Sequence, residues 1–120
     1  MGKRILIVDD SPLILAASKH ALLEAGYAVE TRNSPEDVGA KGADGFDLIL
    51  MDVQMPELFG DDVASVLKHQ RDVRAPIYLF STLPDEELAE RAADAKVEGF
   101  ISKGKGVDHL VAEVRKILGS

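Results

Sequence analysis

Short apolar runs and amphipathic stretches alternate along this chain. Arg4-Ile5-Leu6-Ile7-Val8 is a β-branched run that stops on Asp9-Asp10. Ser11-Pro12 follows, an N-cap candidate with proline at the first helical position. Behind it Ile14, Ala17, Ala21 and Ala25 share one helical face, Leu13, Leu22 and Leu23 widen it, and Gly26 ends the helix. Ala28 to Arg32 reads as a second strand. Ser34-Pro35-Glu36-Asp37 repeats the start signal as a capping box. The helix it opens is weak, with Val38 and Ala40 as its apolar positions and Gly39, Gly42 and Gly45 interrupting it.

The stretch Phe46-Asp47-Leu48-Ile49-Leu50-Met51-Asp52 is the centre of the pattern. Leu48 to Met51 show no polar alternation, which predicts a strand covered on both faces. Pro56, lacking an amide donor, stops it soon after Asp52. Gly60-Asp61-Asp62 opens a helix carrying Val63, Val66 and Leu67, and Ala75-Pro76 breaks it. Asp61-Asp62 follow no buried strand and read as a cap and dipole pair. Ile77 to Phe80 form a fourth strand ending on Ser81. Thr82-Leu83-Pro84-Asp85 resembles another capping box, before a helix of Leu88, Ala89, Ala92, Ala93 and Ala95 whose small side chains predict weak packing. Val97 to Ser102 form the fifth strand, ending on Lys103. Gly104 and Gly106 predict a loose turn before the amphipathic stripe Leu110, Val111, Val114, Ile117 and Leu118.

Five strands alternating with five helices predict an α/β fold, with a parallel sheet and helices on both faces. At 120 residues the chain is one domain, 1–120, and 46% hydrophobic content is enough for a core. Fourteen basic against 21 acidic residues leave a net charge of −7, which disfavours direct grip on nucleic acid or an anionic membrane and favours a cation or a basic partner. The absence of cysteine excludes disulfides and thiol chemistry. No run approaches a membrane span and no secretory signal is evident, so the expected location is cytoplasmic. Met1-Gly2 does not complete a myristoylation motif, because position 6 is Leu6. His20, His69 and His109 have no ligand spacing and read as surface or packing residues.

The strand ends collect the chemistry. The first ends on Asp9-Asp10, the third on Asp52, the fourth on Ser81 and the fifth on Lys103. In an open parallel sheet, ligands bind beyond the carboxyl ends of the strands. Two carboxylates about 4 Å apart repel by roughly 4 kcal/mol at an effective dielectric of about 20. Either one takes a proton or a cation compensates. Mg²⁺ suits the second answer, because it takes hard oxygen ligands and leaves positions open for phosphate oxygens. Taken singly, Asp9-Asp10, Ser81 and Thr82 also fit helix caps, Lys103 a solvated strand end, and Phe100 plain core.

Asp9-Asp10, the run Leu50-Met51-Asp52-Val53-Gln54-Met55-Pro56, Gly60, Ser81 and Phe100-Ile101-Ser102-Lys103, in this order, resemble the receiver domain of two-component response regulators, of the chemotaxis-regulator kind. The resemblance spans essentially the whole chain. It implies a flavodoxin-like (βα)5 fold with a doubly wound five-stranded sheet of order 2-1-3-4-5. It implies Asp52 as phosphoacceptor from a phosphohistidine on a histidine kinase or phosphotransfer protein, in a phosphorelay. Asp10, Asp52 and the Gln54 backbone carbonyl would bind Mg²⁺, with Asp9 acting through water. Lys103 would neutralise the phosphoryl group and Ser81 would hydrogen-bond it. Ser81 and Phe100 would switch the face of the fourth helix, fifth strand and fifth helix, for a downstream protein or fused effector domain. The small side chains from Leu88 to Ala95 make the fourth helix the expected movable element. Such a domain is no enzyme beyond its own phosphorylation and dephosphorylation.

Some positions depart from the family pattern. Lys103 precedes Gly104 where a cis proline is usual, and Thr82 is larger than the usual residue after Ser81. Gln54, Thr82 and Leu83 occupy tuning positions, and apolar Leu83 cannot orient water, so slow autodephosphorylation is expected. A phosphatase of the haloacid-dehalogenase type would need an aspartate at Gln54. A flavin module would need a phosphate-cradling loop in place of Asp9-Asp10. A receiver-like interaction module that works without phosphorylation is the alternative that Gly104 keeps open.

Overall fold

Five parallel strands form one sheet in the order β2-β1-β3-β4-β5. They are β1 (Arg4–Val8), β2 (Ala28–Arg32), β3 (Leu48–Asp52), β4 (Ile77–Ser81) and β5 (Gly99–Ser102). Three helices are fully bounded: α1 (Pro12–Glu24), α2 (Asp85–Ala95) and α3 (Gly106–Leu118), the last two being those the sequence places fourth and fifth. The chain is described here from a computed structural model, for residues 2–33, 45–54, 62, 64–65 and 74–119. The expected second helix lies outside the described residues, as do Pro56, Gly60, Asp61, Val63, Val66, Leu67 and His69. Asp62, Ala64 and Ser65 are helical, in the expected third helix.

The sheet divides the core into two layers because side chains alternate along each strand. Leu6, Val8, Ile49, Met51, Ile77 and Leu79 face one layer, closed by Ala64, Leu88 and Ala92. Ile5, Ile7, Leu48, Leu50, Phe80 and Ile101 face the other, closed by Leu15, Leu22, Leu110 and Val114. All five residues of β3 are buried, as its unbroken apolar run predicts. Burying side chains of this size stabilises the fold by roughly 1.5–3 kcal/mol each. The register sets Val8 beside Met51, Asp52 beside Phe80, and Ser81 beside Ser102, so four strands finish at one level.

The helix starts and faces differ from the sequence reading in three places. Ser11 caps α1, its hydroxyl accepting from the Ile14 amide at 3.3 Å, with Pro12 first in the helix. The buried face of α1, however, is Leu15, Ser18 and Leu22, while Leu13 is 78% exposed and Leu23 is also exposed. The helix is apolar nearly all round, so its periodicity alone could not choose the face; packing against β2 and α3 chose it. The capping box at Thr82 does not form: Pro84 is the N-cap of α2, with no side-chain hydrogen bond. The Thr82 hydroxyl is engaged by Gln54 instead. The glycine turn after β5 is a single 3-10 turn, Lys103–Lys105, running directly into α3. Gly106 there has φ +86°, a left-handed region that disfavours any side chain. Gly99 meets a different constraint, since a Cβ would lie 2.9 Å from the Tyr78 ring.

Candidate functional site

Asp9 leaves the end of β1 fully buried. Its Oδ1 accepts from the Ser11 amide at 2.9 Å, which turns the chain into α1, and its own amide donates to the Arg32 carbonyl at 3.0 Å. Asp10, next in sequence, is exposed at the rim. Asp52 closes β3 with 3% exposure. Its Oδ1 accepts from the Gln54 amide at 3.2 Å. Carboxylate oxygens of Asp9, Asp10 and Asp52 lie within 4.8 Å of one another.

Lys103 crosses from the end of β5 to this cluster. Its Nζ stands 2.5 Å from Asp9 Oδ2 and 3.2 Å from Asp52 Oδ1, with the side chain 9% exposed. The contact with Asp9 is an ion pair without hydrogen-bond alignment, so Oδ2 is buried yet lacks a hydrogen bond. One ammonium cannot neutralise three carboxylates. Burial pushes the Asp52 carboxyl up to about 6, and the charge of Asp9 pushes the same way. Lys103 and the Gln54 amide act against that rise.

The second half of the site is a hydroxyl pair held by Gln54. Ser81, fully buried at the end of β4, donates its hydroxyl proton to Gln54 Oε1 at 3.5 Å and accepts from the Leu83 amide at 3.2 Å. Thr82 donates to the same Gln54 oxygen at 3.3 Å. Both lone pairs of one amide oxygen are thereby engaged. Lys105 Nζ, in the turn after Lys103, is 3.3 Å from Asp85 Oδ2 in the first turn of α2.

The predicted site residues thus converge, with two exceptions. Asp9, Asp10, Asp52, Gln54, Ser81 and Lys103 gather at the strand ends. Phe100 lies within β5, three residues before Lys103 and beside Leu79, half-buried against the layer that holds Leu88. Leu83 packs against the same layer. Two contacts escaped the sequence reading. One is the Gln54 side chain on Ser81 and Thr82, since only the Gln54 backbone carbonyl and a tuning role were foreseen. The other is Phe80, whose ring lies under Lys103 Nζ at 5.2 Å from its centroid. The signal for Phe80 was its place one residue before Ser81, on the sheet face that Asp52 shares. His20 and His109 pair with Glu24 and Glu113 on their own helices, away from the site.

The donor set fits Mg²⁺: three carboxylates lie close together, with more negative charge than the Lys103 ammonium beside them balances. Among the described residues no helix is long and apolar enough to cross a membrane.

A parallel sheet of order 2-1-3-4-5 with an acidic cluster and a lysine at its carboxyl edge defines a class, the receiver domains of two-component signalling. The model of the response regulator receiver domain matches residues 5–115, and the chain belongs to that family. It is 30% identical over 121 residues to the polar-differentiation response regulator DivK of Brucella anthropi, covering 99% of this chain and 98% of that protein. It is 38% identical over 118 residues to a gliding motility regulatory protein of Myxococcus xanthus, covering 95% of this chain but spanning only 15% of that relative's length. The solved structure of the chemotaxis protein CheY4 of Vibrio cholerae superposes with a TM-score of 0.86 at 28% identity, covering 98% of this chain and all of that one.

Proposed function

We propose that Asp52 accepts a phosphoryl group from a phosphohistidine and that the resulting acyl phosphate is the signal. The observation that carries this reading is Lys103 Nζ at 3.2 Å from Asp52 Oδ1, inside a cluster of three carboxylates at the sheet edge. A carboxylate oxygen of Asp52 attacks phosphorus, the new P–O bond forms, and the P–N bond breaks. The imidazole nitrogen keeps the bonding pair and is reprotonated from solvent. Because phosphoryl transfer is loose, placing and neutralising charge does most of the work.

Each side chain then has a role. Asp52 is the nucleophile, and its buried setting keeps water from competing. Lys103 sits where the transferred oxygens gain charge. Ser81 offers its hydroxyl to one of them. Asp9, Asp10, Asp52 and the Gln54 carbonyl would hold Mg²⁺, which supplies further charge neutralisation when bound. Ser81 and Phe100 transmit the change to the face of α2, β5 and α3, and α2 is the element that moves. Gln54, Thr82 and Leu83 set how fast the phosphoryl group is lost. The domain, residues 1–120, works in the cytoplasm between a histidine kinase or phosphotransfer protein and a downstream protein or effector domain. It catalyses its own phosphorylation and dephosphorylation and no other reaction.

The test is transfer of labelled phosphoryl from a phosphohistidine donor in the presence of Mg²⁺. Label should reach the wild-type chain and be absent from Asp52→Asn. Equal labelling of both would overturn the assignment.

A further inference from the structure

We propose that Phe80 is a positioning residue for phosphoryl transfer: its ring face holds the Lys103 ammonium between Asp9 and Asp52. The inference rests on the function proposed above and deepens it. Lys103 carries its ammonium on a flexible four-carbon stem at the start of the 3-10 turn, so the backbone alone does not fix where the ammonium sits. Its contact with Asp9 lacks hydrogen-bond alignment. The two carboxylates hold the ammonium by charge, and the ring of Phe80 adds a further contact to it.

Phe80 is placed to do so. It is the register partner of Asp52 on one side and of Ile101 on the other, and Lys103 stands two residues beyond Ile101. Phe80 is 3% exposed and the Lys103 side chain 9%, so water competes weakly for the ammonium. The 5.2 Å separation from the ring centroid is within the range where the negative ring face attracts a cation. A third carboxylate could hold the ammonium equally well but would add repulsion beside Asp52. An aromatic face attracts the cation without bringing a further negative charge.

The measurement is the rate of phosphorylation by acetyl phosphate with Mg²⁺, against donor concentration, for wild type, Phe80→Leu and Phe80→Tyr in both the native and Lys103→Ala backgrounds. Circular dichroism establishes folding, and Phe80→Met replaces Phe80→Leu should the latter unfold. Phe80→Leu should lower the maximal rate about 3- to 10-fold, with half-saturation little changed, the size expected for loss of a cation–π contact between the exposed and the fully desolvated limits. Phe80→Tyr, which keeps the ring face, should stay within about 2-fold of wild type. In the Lys103→Ala background Phe80→Leu should cost nothing further, because the residue through which Phe80 acts is gone. An unchanged rate in Phe80→Leu, or the same fold loss in both backgrounds, overturns the proposal. A wild type that gains no phosphoryl group overturns the reading of the whole site, and this proposal with it.

Discussion

Gln54 accepts the hydroxyl proton of Ser81 across the gap between β3 and β4, at 3.5 Å. A serine has one such proton, so Ser81 cannot give it to Gln54 and to a phosphoryl oxygen together. Thr82 donates to the same Gln54 oxygen at 3.3 Å, a bond that does not depend on Ser81. Gln54→Met removes the acceptor at similar volume. Its expected effect is tighter apparent binding of beryllofluoride, about 2- to 5-fold, matching a net hydrogen bond of about 0.5–1 kcal/mol. Titration followed by the Leu83 amide resonance measures this, and unchanged affinity would show that Gln54 does not restrain Ser81.

Asp52→Asn should make the protein more stable while abolishing phosphoryl uptake. The carboxylate is buried beside Asp9 and raised to about 6. Removing its charge relieves desolvation and repulsion, and Lys103 retains Asp9 as partner. The expected gain is about 1–3 kcal/mol in metal-free buffer near neutral pH, read from urea unfolding. A destabilised variant would mean that the Lys103 contact outweighs the burial cost.

The same carboxylate sets a pH dependence. Its folded value of about 6 lies above the ordinary aspartate value of 3.8, so the native state binds the proton more tightly than the unfolded chain. The Asp52 contribution to metal-free stability should therefore fall as pH rises from about 4 to about 6 and then level off. Asp52→Asn should flatten that slope. The check is a series of urea transitions with chelator present, for both proteins, across this window.

Leu83 offers no group to orient water near Asp52. Its amide is bonded to Ser81 and its side chain packs against the core layer that holds Leu88. Leu83→Glu should shorten the lifetime of the phosphorylated form several-fold, at a folding cost of about 1–2 kcal/mol for placing a charge at a half-buried position. Dephosphorylation after removal of donor measures the lifetime. An unchanged or longer lifetime would assign slow hydrolysis to another residue.

Most of the fold is legible in the sequence because strand ends are punctuated. Asp9-Asp10, Asp52, Ser81 and Lys103 each follow an apolar run, and parallel register brings such positions to one edge. What escaped was settled between elements. The α1 face could not be read because Leu13, Ile14, Leu15, Leu22 and Leu23 offer apolar surface in several directions. Thr82 looked like a cap because local spacing allows one, yet Gln54, just beyond the end of β3, accepts its hydroxyl proton instead. Phe80 looked like core, and it is core; its contact with Lys103 depends on how the chain turns after β5, which no local pattern specifies.

The central claim is that one aspartate holds the phosphoryl group, and intact-mass spectrometry with peptide mapping tests it most directly. After acetyl phosphate and Mg²⁺, the expected result is the mass of one added phosphoryl group, located on Asp52, absent in Asp52→Asn and absent with chelator. A folded wild-type protein that gains no mass, or gains it on another residue, would contradict the claim.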